Sequence, residues 1–572
     1  MRLPLRAARQ LSASSKPGFC HQLRTAAGTR TRMQHSAAES YAASTYPPLP
    51  PIADSENIAS MVMREWPTFG EQPAIIDGTT GTTRSYAELT AGVDALAAHL
   101  VGLGLTPGQL VALVSPNDLD YATVLLAALK LGLTVSPMNP TLTADEMELQ
   151  LRDAHVAMVV GSPLCPQAHE AAARVASVRQ IFSLGPELGE IVSSRPEIAS
   201  SGQLPPAFPS PTADAMAILP YSSGTTGTPK GTMLSHRNII ANLLQLLPLD
   251  GAFYQPDEVV LSPGPMFHIY PLTIGLLFHL WRGTPYVFMS GPFSVASFCA
   301  VVARTRATRA HVSPPIVTLL AKSAEVDAGQ LATLRMLLSA AAPLYASLEE
   351  ECAARVGCPI KQAWGMSELS PLGTIVPDDA RRGGSIGVAV PSTELKVARI
   401  DTEGDIDPRA PAVPRGERGE LLVRGPQVMH GYLHAPAKTA ETLLEDGWLR
   451  TGDVVTMDAD GYVFIADRLK ELIKYKGHQV APAELEDLLR THPKIADAAV
   501  IPKPDEVAGE TPRAYVVPKP GEQLSEEEVV AFVDERVSAF KKLRGGAVIT
   551  DAIPKTGSGK ILRRLVIAKD RA

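Results

Sequence analysis

An apolar run, Ala215 to Leu219, leads within two residues into Tyr221-Ser222-Ser223-Gly224-Thr225-Thr226-Gly227-Thr228-Pro229-Lys230-Gly231. A buried strand emptying into a loop of glycines, hydroxyls and one lysine is built to cradle phosphate. Glycine lets backbone N–H groups approach an anion, the hydroxyls donate hydrogen bonds, and the lysine adds a point charge. The loop is not of the Walker A type, which needs Gly directly before the lysine and Ser or Thr after it. Pro229 and Gly231 occupy those places.

A chain of 572 residues exceeds one ordinary core, so two or more domains are expected. Apolar content of 45% with 20% charge describes a globular protein. The most apolar region, Ile269 to Met289, is broken by His279, Arg282, Gly283 and two prolines, so it reads as core and no membrane span is expected. The first 38 residues carry Arg2, Arg6, Arg9, Lys16, Arg24, Arg30 and Arg32 and no acid before Glu39. That Arg-, Ser- and Ala-rich leader has the composition of an organelle transit peptide, mitochondrial in preference to plastid, with a cytoplasmic protein as the remaining alternative. The rest is more acidic than the formal charge of −7 suggests, which argues against nucleic acid as a partner. Cys20, Cys165, Cys299, Cys352 and Cys358 show no metal-ligand spacing and read as reduced structural thiols. The ending Lys569-Asp570-Arg571-Ala572 is not a peroxisomal signal.

Residues 39–52, with Pro47-Pro48-Leu49-Pro50-Pro51, read as a linker out of the leader. Helical and strand patterns then alternate, with Val93–Leu100 helical, Leu110–Val114 a buried strand and Asp120–Leu131 helical, which implies α/β units around parallel sheets. Leu184–Pro211 reads as a surface connection, and a more β-like stretch includes Gly419–Gly425. Charges crowd the chain near Asp467, and the remaining residues have the number and pattern of a small α+β domain.

Five further segments carry chemistry. Pro265-Met266-Phe267-His268-Ile269-Tyr270 sets a histidine and a tyrosine beside the apolar run. Gln362-Ala363-Trp364-Gly365-Met366-Ser367-Glu368 ends in a hydroxyl beside a carboxylate, suited to phosphate contact and Mg²⁺. Gly447–Asp453 offers a carboxylate able to accept from both hydroxyls of a ribose. Arg468 to Gly477 gathers four cations and a glycine, and Pro554-Lys555-Thr556-Gly557-Ser558-Gly559-Lys560 presents a lysine on a flexible loop.

This ordered set resembles the adenylate-forming superfamily of acyl-CoA synthetases, luciferases and peptide-synthetase adenylation domains. Arg468 to Glu484 and the Pro265–Tyr270 segment look most like 4-coumarate–CoA ligases and their relatives. The resemblance runs from about residue 55 to 568. It implies a large N-terminal multilayer α/β domain with parallel sheets and a β-rich subdomain, residues 46–466, and a small mobile C-terminal α+β domain, residues 467–572, after a transit peptide and linker over 1–45.

The activity so implied is ATP-dependent ligation of a carboxylic acid to CoA through an acyl-AMP, with ATP, Mg²⁺ and CoA as cofactors. The resemblance makes Lys560 the catalytic lysine of the first step and gives His268 a part in orienting the acyl group. Ser222, Ser223, Gly224, Thr225, Thr226 and Lys230 wrap the outgoing phosphates, and Glu368 holds Mg²⁺. Gln362, Ala363 and Ser367 match contacts to the nucleotide, Asp453 and Arg468 the ribose pair, and Lys470 and Lys474 further positions on that side. Around Lys470 the small domain swings, withdrawing Lys560 and bringing Lys476 and Gly477 to CoA. Tyr270, Ile274, Ala340, Ala341, Trp364 and Gln479 match the acyl pocket.

Plant ligases have glycine at the positions of Ala340 and Ala363 and usually tyrosine at Trp364, so the pocket here differs in shape. A lysine assigned there to CoA is replaced around Gly291-Pro292. An arylpropenoic acid and a medium- or long-chain fatty acid both remain open as the substrate. Rival readings are a luciferase-like oxygenase, a carrier-loading adenylation domain and a non-catalytic nucleotide and acyl sensor. Adenylation domains tend to carry aspartate where His268 stands, and the intact Lys560, Glu368 and Asp453 argue against a sensor.

Overall fold

The structure is a computed structural model describing residues 39–185, 190, 210–222, 229–250, 254–342, 344–401, 405–468, 471–475, 478–505, 508–537, 539–555, 559 and 561–571, with backbone alone at 222, 468, 478 and 479. Alternating strand and helix patterns build two large sheets that share one core. In the first, Met216–Ile218, Thr134–Met138, Leu110–Val114, Met158–Gly161 and Gln180–Ser183 run parallel, and Lys230–Ser235 adds antiparallel at one side. In the second, Ile360–Gly365, Met336–Ser339, Arg309–Val312, Val260–Ser262, Tyr286–Phe288 and Pro73–Asp77 are parallel neighbours in that order.

Side chains along these parallel strands alternate between two cores, as the strand period requires. Leu261, Val287, Ala310 and Leu337 join an outer core with Phe298, Val302 and Val317. Val260, Tyr286, Phe288 and Leu338 face the core shared with the first sheet. Helix Tyr121–Lys130 lies in that shared layer with every residue except Lys130 buried, so it is apolar all round. The Ile269–Met289 region is core, as expected. Its first half is a fully buried π-helix, Pro271–Leu277, running into helix Phe278–Arg282, which Gly283 ends at φ +70°. Among the described residues no helix is long and apolar enough to cross a membrane.

Helix His236–Leu246 ties these layers to the segment that completes the site. A capping box between Ser235 and Asn238 starts it, and the Asn238 amide donates to the Pro426 and Val428 carbonyls at 2.8 and 2.9 Å. One turn and two turns on, Asn242 and Gln245 bond Leu372, Pro391, Thr393 and Gln427, so the chain before Tyr432 is held by buried, satisfied amides.

A five-stranded antiparallel sheet, Tyr41–Ala43, Glu394–Ala398, Gly419–Arg424, Leu449–Met457 and Val463–Arg468, forms the β-rich part. Two sequence expectations change here. The stretch expected as a linker begins instead with an edge strand, Tyr41 opposite Lys396, because its unpaired backbone groups find a ladder on Glu394–Ala398. The expected boundary between 466 and 467 falls inside the last strand, which keeps Asp467 and Arg468 paired with Val454 and Asp453. Beyond it, Ile473–Tyr475, His478–Val480, Ile495–Asp505, Gly509–Pro518 and Ala547–Ile549 make a second sheet with its own core of Ile473, Leu485, Val500, Val516 and Val529.

Candidate active site

Three segments distant in sequence meet at one tyrosine. Strand Tyr221–Ser222 pairs antiparallel with Lys230–Ser235, Ser222 opposite Lys230, so the Ser/Thr/Gly stretch bridges two hydrogen-bonded arms. Ser223, Gly224, Thr225 and Thr226 lie outside the described residues. The Lys230 ammonium sits 5.8 Å from the centre of the Tyr432 ring. That tyrosine's hydroxyl donates to Glu368 Oε1 at 2.6 Å. Glu368 is buried in the 3-10 turn Ser367–Leu369, and its carbonyl accepts from Met429 N–H at 2.9 Å. The tyrosine therefore spaces a cation and a carboxylate on either side of itself, and burial with the Glu368 charge raises its pKa. Sequence alone does not single out Tyr432; its only signal is its place after the Gly419–Arg424 strand, since its partner stands 64 residues away.

The two residues expected to contact ribose are register partners: Asp453 on Leu449–Met457 lies opposite Arg468 on Val463–Arg468. Asp453 is buried; its N–H donates to Thr451 Oγ1 at 3.1 Å, and its Oδ2 accepts the Trp364 indole N–H at 2.9 Å. Trp364, expected against the acyl group, spends its indole N–H on this carboxylate and so fixes its rotamer.

Gln362 is also buried, and its Nε2 donates to the Leu344 carbonyl at 3.0 Å and Glu349 Oε2 at 2.9 Å. It thus pins the Ala340–Leu344 turn to the Ile360–Gly365 strand. Ala363 is buried on that strand and Ser367 is half-buried at the turn beyond it. In the pinned turn Ala340 is buried, while Ala341 is exposed and takes φ +79°, a conformation that favours glycine.

On the acyl side, the Tyr270 hydroxyl donates to the Leu338 carbonyl at 3.3 Å and its ring stacks on His311, centroids 6.1 Å apart at 15°. Ile274, Thr273 and His311 are each at most 2% exposed, and Ile274 packs into the shared core from the π-helix. His268 is solvent-accessible, yet protein crowds it enough to push its pKa below the ordinary imidazole value. Desolvation disfavours its charged form.

Lys470, Lys476, Gly477 and Lys560 lie outside the described residues, as do the side chains of Ser222, Arg468 and Gln479. Lys474 is exposed on Ile473–Tyr475, with its N–H donating to Glu510 Oε2 at 2.8 Å. Gly559, next to Lys560, does meet the large domain. A Cβ built on it would stand 2.1 Å from Pro315 Cγ, at the start of helix Pro314–Lys322. Gly559 thus meets the large domain three residues after the end of the strand that carries His311 and Val312.

Glu368 offers a single hard oxygen donor set, and among the described residues no three His, Cys, Asp or Glu side chains cluster to cage a metal. One carboxylate fits a magnesium ion whose remaining ligands come from phosphate and water.

Residues 63–433 match the AMP-binding enzyme family, and residues 484–560 match the AMP-binding enzyme C-terminal domain. The chain is 36% identical over 533 residues to 4-coumarate--CoA ligase 3 of Oryza sativa subsp. japonica, covering 90% of this chain and 93% of the relative. It is 35% identical over 524 residues to 4-coumarate--CoA ligase 1 of Arabidopsis thaliana, covering 88% and 90%. A benzoate CoA ligase from Burkholderia xenovorans LB400 superposes with TM-score 0.78 at 27% identity, over 89% of this chain and 99% of that one. The anthranilate CoA ligase AuaEII in complex with anthranoyl-AMP does so with TM-score 0.81 at 25% identity, over 91% and 98%. With its adenylate-forming fold, its Lys230–Tyr432–Glu368 junction and its Asp453–Arg468 pair, the chain belongs to the AMP-binding enzyme family, among the AMP-forming acid–thiol ligases.

Proposed function

We propose that this ATP-dependent acid–CoA ligase activates a short, planar aryl acid of the arylpropenoic or benzoic kind, with magnesium on Glu368. The observation that carries the choice of acid is the Tyr270 wall. Its ring is held at the hydroxyl by Leu338 and on one face by His311, and the nearby Thr273, Ile274 and His311 are all buried. A rigid aromatic wall among buried neighbours suits offset stacking of a flat ring and gives a long aliphatic tail no path onward.

In the first step the acid's carboxylate oxygen attacks the α-phosphorus of ATP, forming acyl-AMP and expelling pyrophosphate. Two anions must approach, so the chain has to supply positive charge and orientation at that point. In this reading Lys230 receives the outgoing phosphates, Tyr432 fixes the Glu368 carboxylate, and Asp453 and Arg468 orient the sugar, with Trp364 holding the Asp453 carboxylate. Magnesium on Glu368 supplies charge neutralisation to the phosphates when bound. Lys560 bridges carboxylate and α-phosphate in this reading, and it rides on a loop that meets Pro315 through Gly559. In the second step the CoA thiolate attacks the acyl carbonyl carbon and AMP leaves. The domain division near residues 469–472, with Lys470 as pivot, lets Lys560 retire while Lys476 and Gly477 approach. The leader over residues 1–38 supports a mitochondrial address.

The test is acid-dependent pyrophosphate release across cinnamates, benzoates and fatty acids of graded length, with and without CoA. Cinnamates or benzoates should exceed fatty acids of eight or more carbons in kcat/KM by roughly tenfold or more, since a misfit in an apolar site costs about 1–3 kcal/mol. Higher kcat/KM for the fatty acids would overturn the aryl assignment and leave the ligase reaction standing.

A further inference from the structure

Helix Pro482–Arg490 of the small domain ends on an arginine that touches the large domain. The Arg490 guanidinium carbon lies 5.4 Å from the centre of the Tyr345 ring. Tyr345 directly follows the Ala340–Leu344 turn that Gln362 pins, and it precedes helix Ala346–Val356. On its own side Arg490 is held firmly. Its Nη2 donates to the Ala498 carbonyl at 3.0 Å, and its Nε stands 3.6 Å from Asp497 Oδ1. A further contact, Nη1 to Asp487 Oδ1, is 3.7 Å long, and the Tyr345 hydroxyl also interacts with the guanidinium.

Asp497 does a second job. Its other oxygen takes the Lys555 ammonium at 2.6 Å, and Lys555 is bridged to Ile561 across the stretch that contains Lys560. The path is thus continuous: Tyr345 of the large domain, Arg490, Asp497, Lys555, and the neck of the lysine loop. The same loop makes its own contact through Gly559 on Pro315, at φ +87°, where a side chain has no room. Arg490 on Tyr345 and Gly559 on Pro315 thus both set the small domain against the large one, beside the Arg418–Glu484 ion pair at 3.1 Å.

We propose that Arg490 and Tyr345 form a latch holding the small domain in its lysine-delivering orientation, so that Arg490 is a positioning residue for acyl-AMP formation and not for thioester formation. The inference rests on the assignment of Lys560 to the first step. An exposed cation–π contact is modest and a desolvated one larger, and this one is partly buried. A contact of that strength suits a latch that must open each turnover, since a strong one would trap the enzyme after the first step.

The test uses the full chain and separates the half-reactions: pyrophosphate release with the panel's best acid, and thioester formation from its supplied acyl-AMP and CoA. Arg490→Ala and Tyr345→Ala should each lower the first rate roughly 2- to 30-fold. Both should leave the second rate unchanged or faster. Tyr345→Phe keeps the ring and loses the hydroxyl that faces the Arg490 guanidinium, so its first rate should fall between those of the starting protein and Tyr345→Ala, and the Arg490→Ala/Tyr345→Ala double variant should be no worse than either single one. Lys560→Ala serves as the reference. If it spares pyrophosphate release, the underlying assignment fails. If it abolishes release while Tyr345→Ala and Arg490→Ala leave both rates at the starting value, or slow both equally, the latch is refuted.

Discussion

Replacing Tyr432 by phenylalanine removes one oxygen atom from the point where three segments meet. The ring stays beneath the Lys230 ammonium, so the cation–π contact at 5.8 Å survives. What goes is the 2.6 Å donor on Glu368 Oε1. Glu368 is only 7% exposed, so water does not readily replace that donor. A hydrogen bond to a charged group contributes about 1.5–3 kcal/mol, which corresponds to roughly a 10- to 100-fold loss in kcat/KM for ATP. Two effects on magnesium oppose each other. Losing the donor leaves more charge on the carboxylate, which favours a cation, while freeing its rotamer spoils the near-ideal octahedral geometry that magnesium demands. The geometric effect should win, because this site contributes one protein oxygen and orientation is most of what it supplies. Initial rates of pyrophosphate release over a grid of ATP and Mg²⁺ concentrations read both quantities. The half-saturating Mg²⁺ concentration should rise, and Tyr432→Phe should add little to Glu368→Gln because both act through the same carboxylate. A variant with kcat/KM and Mg²⁺ dependence within about twofold of the starting protein would refute the role assigned to this junction.

Two predictions concern stability. Behind the acyl wall, Asp250 accepts from Lys361 at 2.6 Å and from Arg309 at 3.0 Å, with the Lys361 and Asp250 side chains at 0% and 1% exposure; Asp250→Ala strands both cations and should cost about 3–5 kcal/mol in urea unfolding. A loss under about 1 kcal/mol would show that Asp378, the other partner of both cations, suffices alone. His236 and His279 are fully buried and desolvation pushes each from 6.5 to about 4. Because both folded values lie below the unfolded one, their contribution is complete above pH 6.5 and lost as pH falls toward 4, by about 3 kcal/mol each. Unfolding free energies that stay flat between pH 6.5 and 4 would contradict this.

Much of the site was legible because its parts are local. Glycines and hydroxyls after an apolar run, a hydroxyl beside a carboxylate, and cations near a glycine are patterns a short window contains. What was not legible shares a cause as well. The stretch after Glu39 looked like a linker because an edge strand needs a partner ladder, and that ladder lies some 350 residues on. The partner of the Trp364 indole N–H could not be read because that carboxylate stands 89 residues away. The depth of Ile274 could not be read because a π-helix and an α-helix present different faces from the same residues, and local propensity does not distinguish them.

The order of motifs along the chain determined the class of fold and the reaction and nominated the residues expected to carry it, since strand, loop and turn preferences act between near neighbours. Which side chain meets which was decided only by tertiary packing. Tyr432 found Glu368, Asp453 found Trp364 and Arg490 found Tyr345 because separate elements were brought together when apolar faces were buried. Burial of apolar area is non-directional. It states how much surface must meet, and the hydrogen bonds that then become obligatory choose the partners.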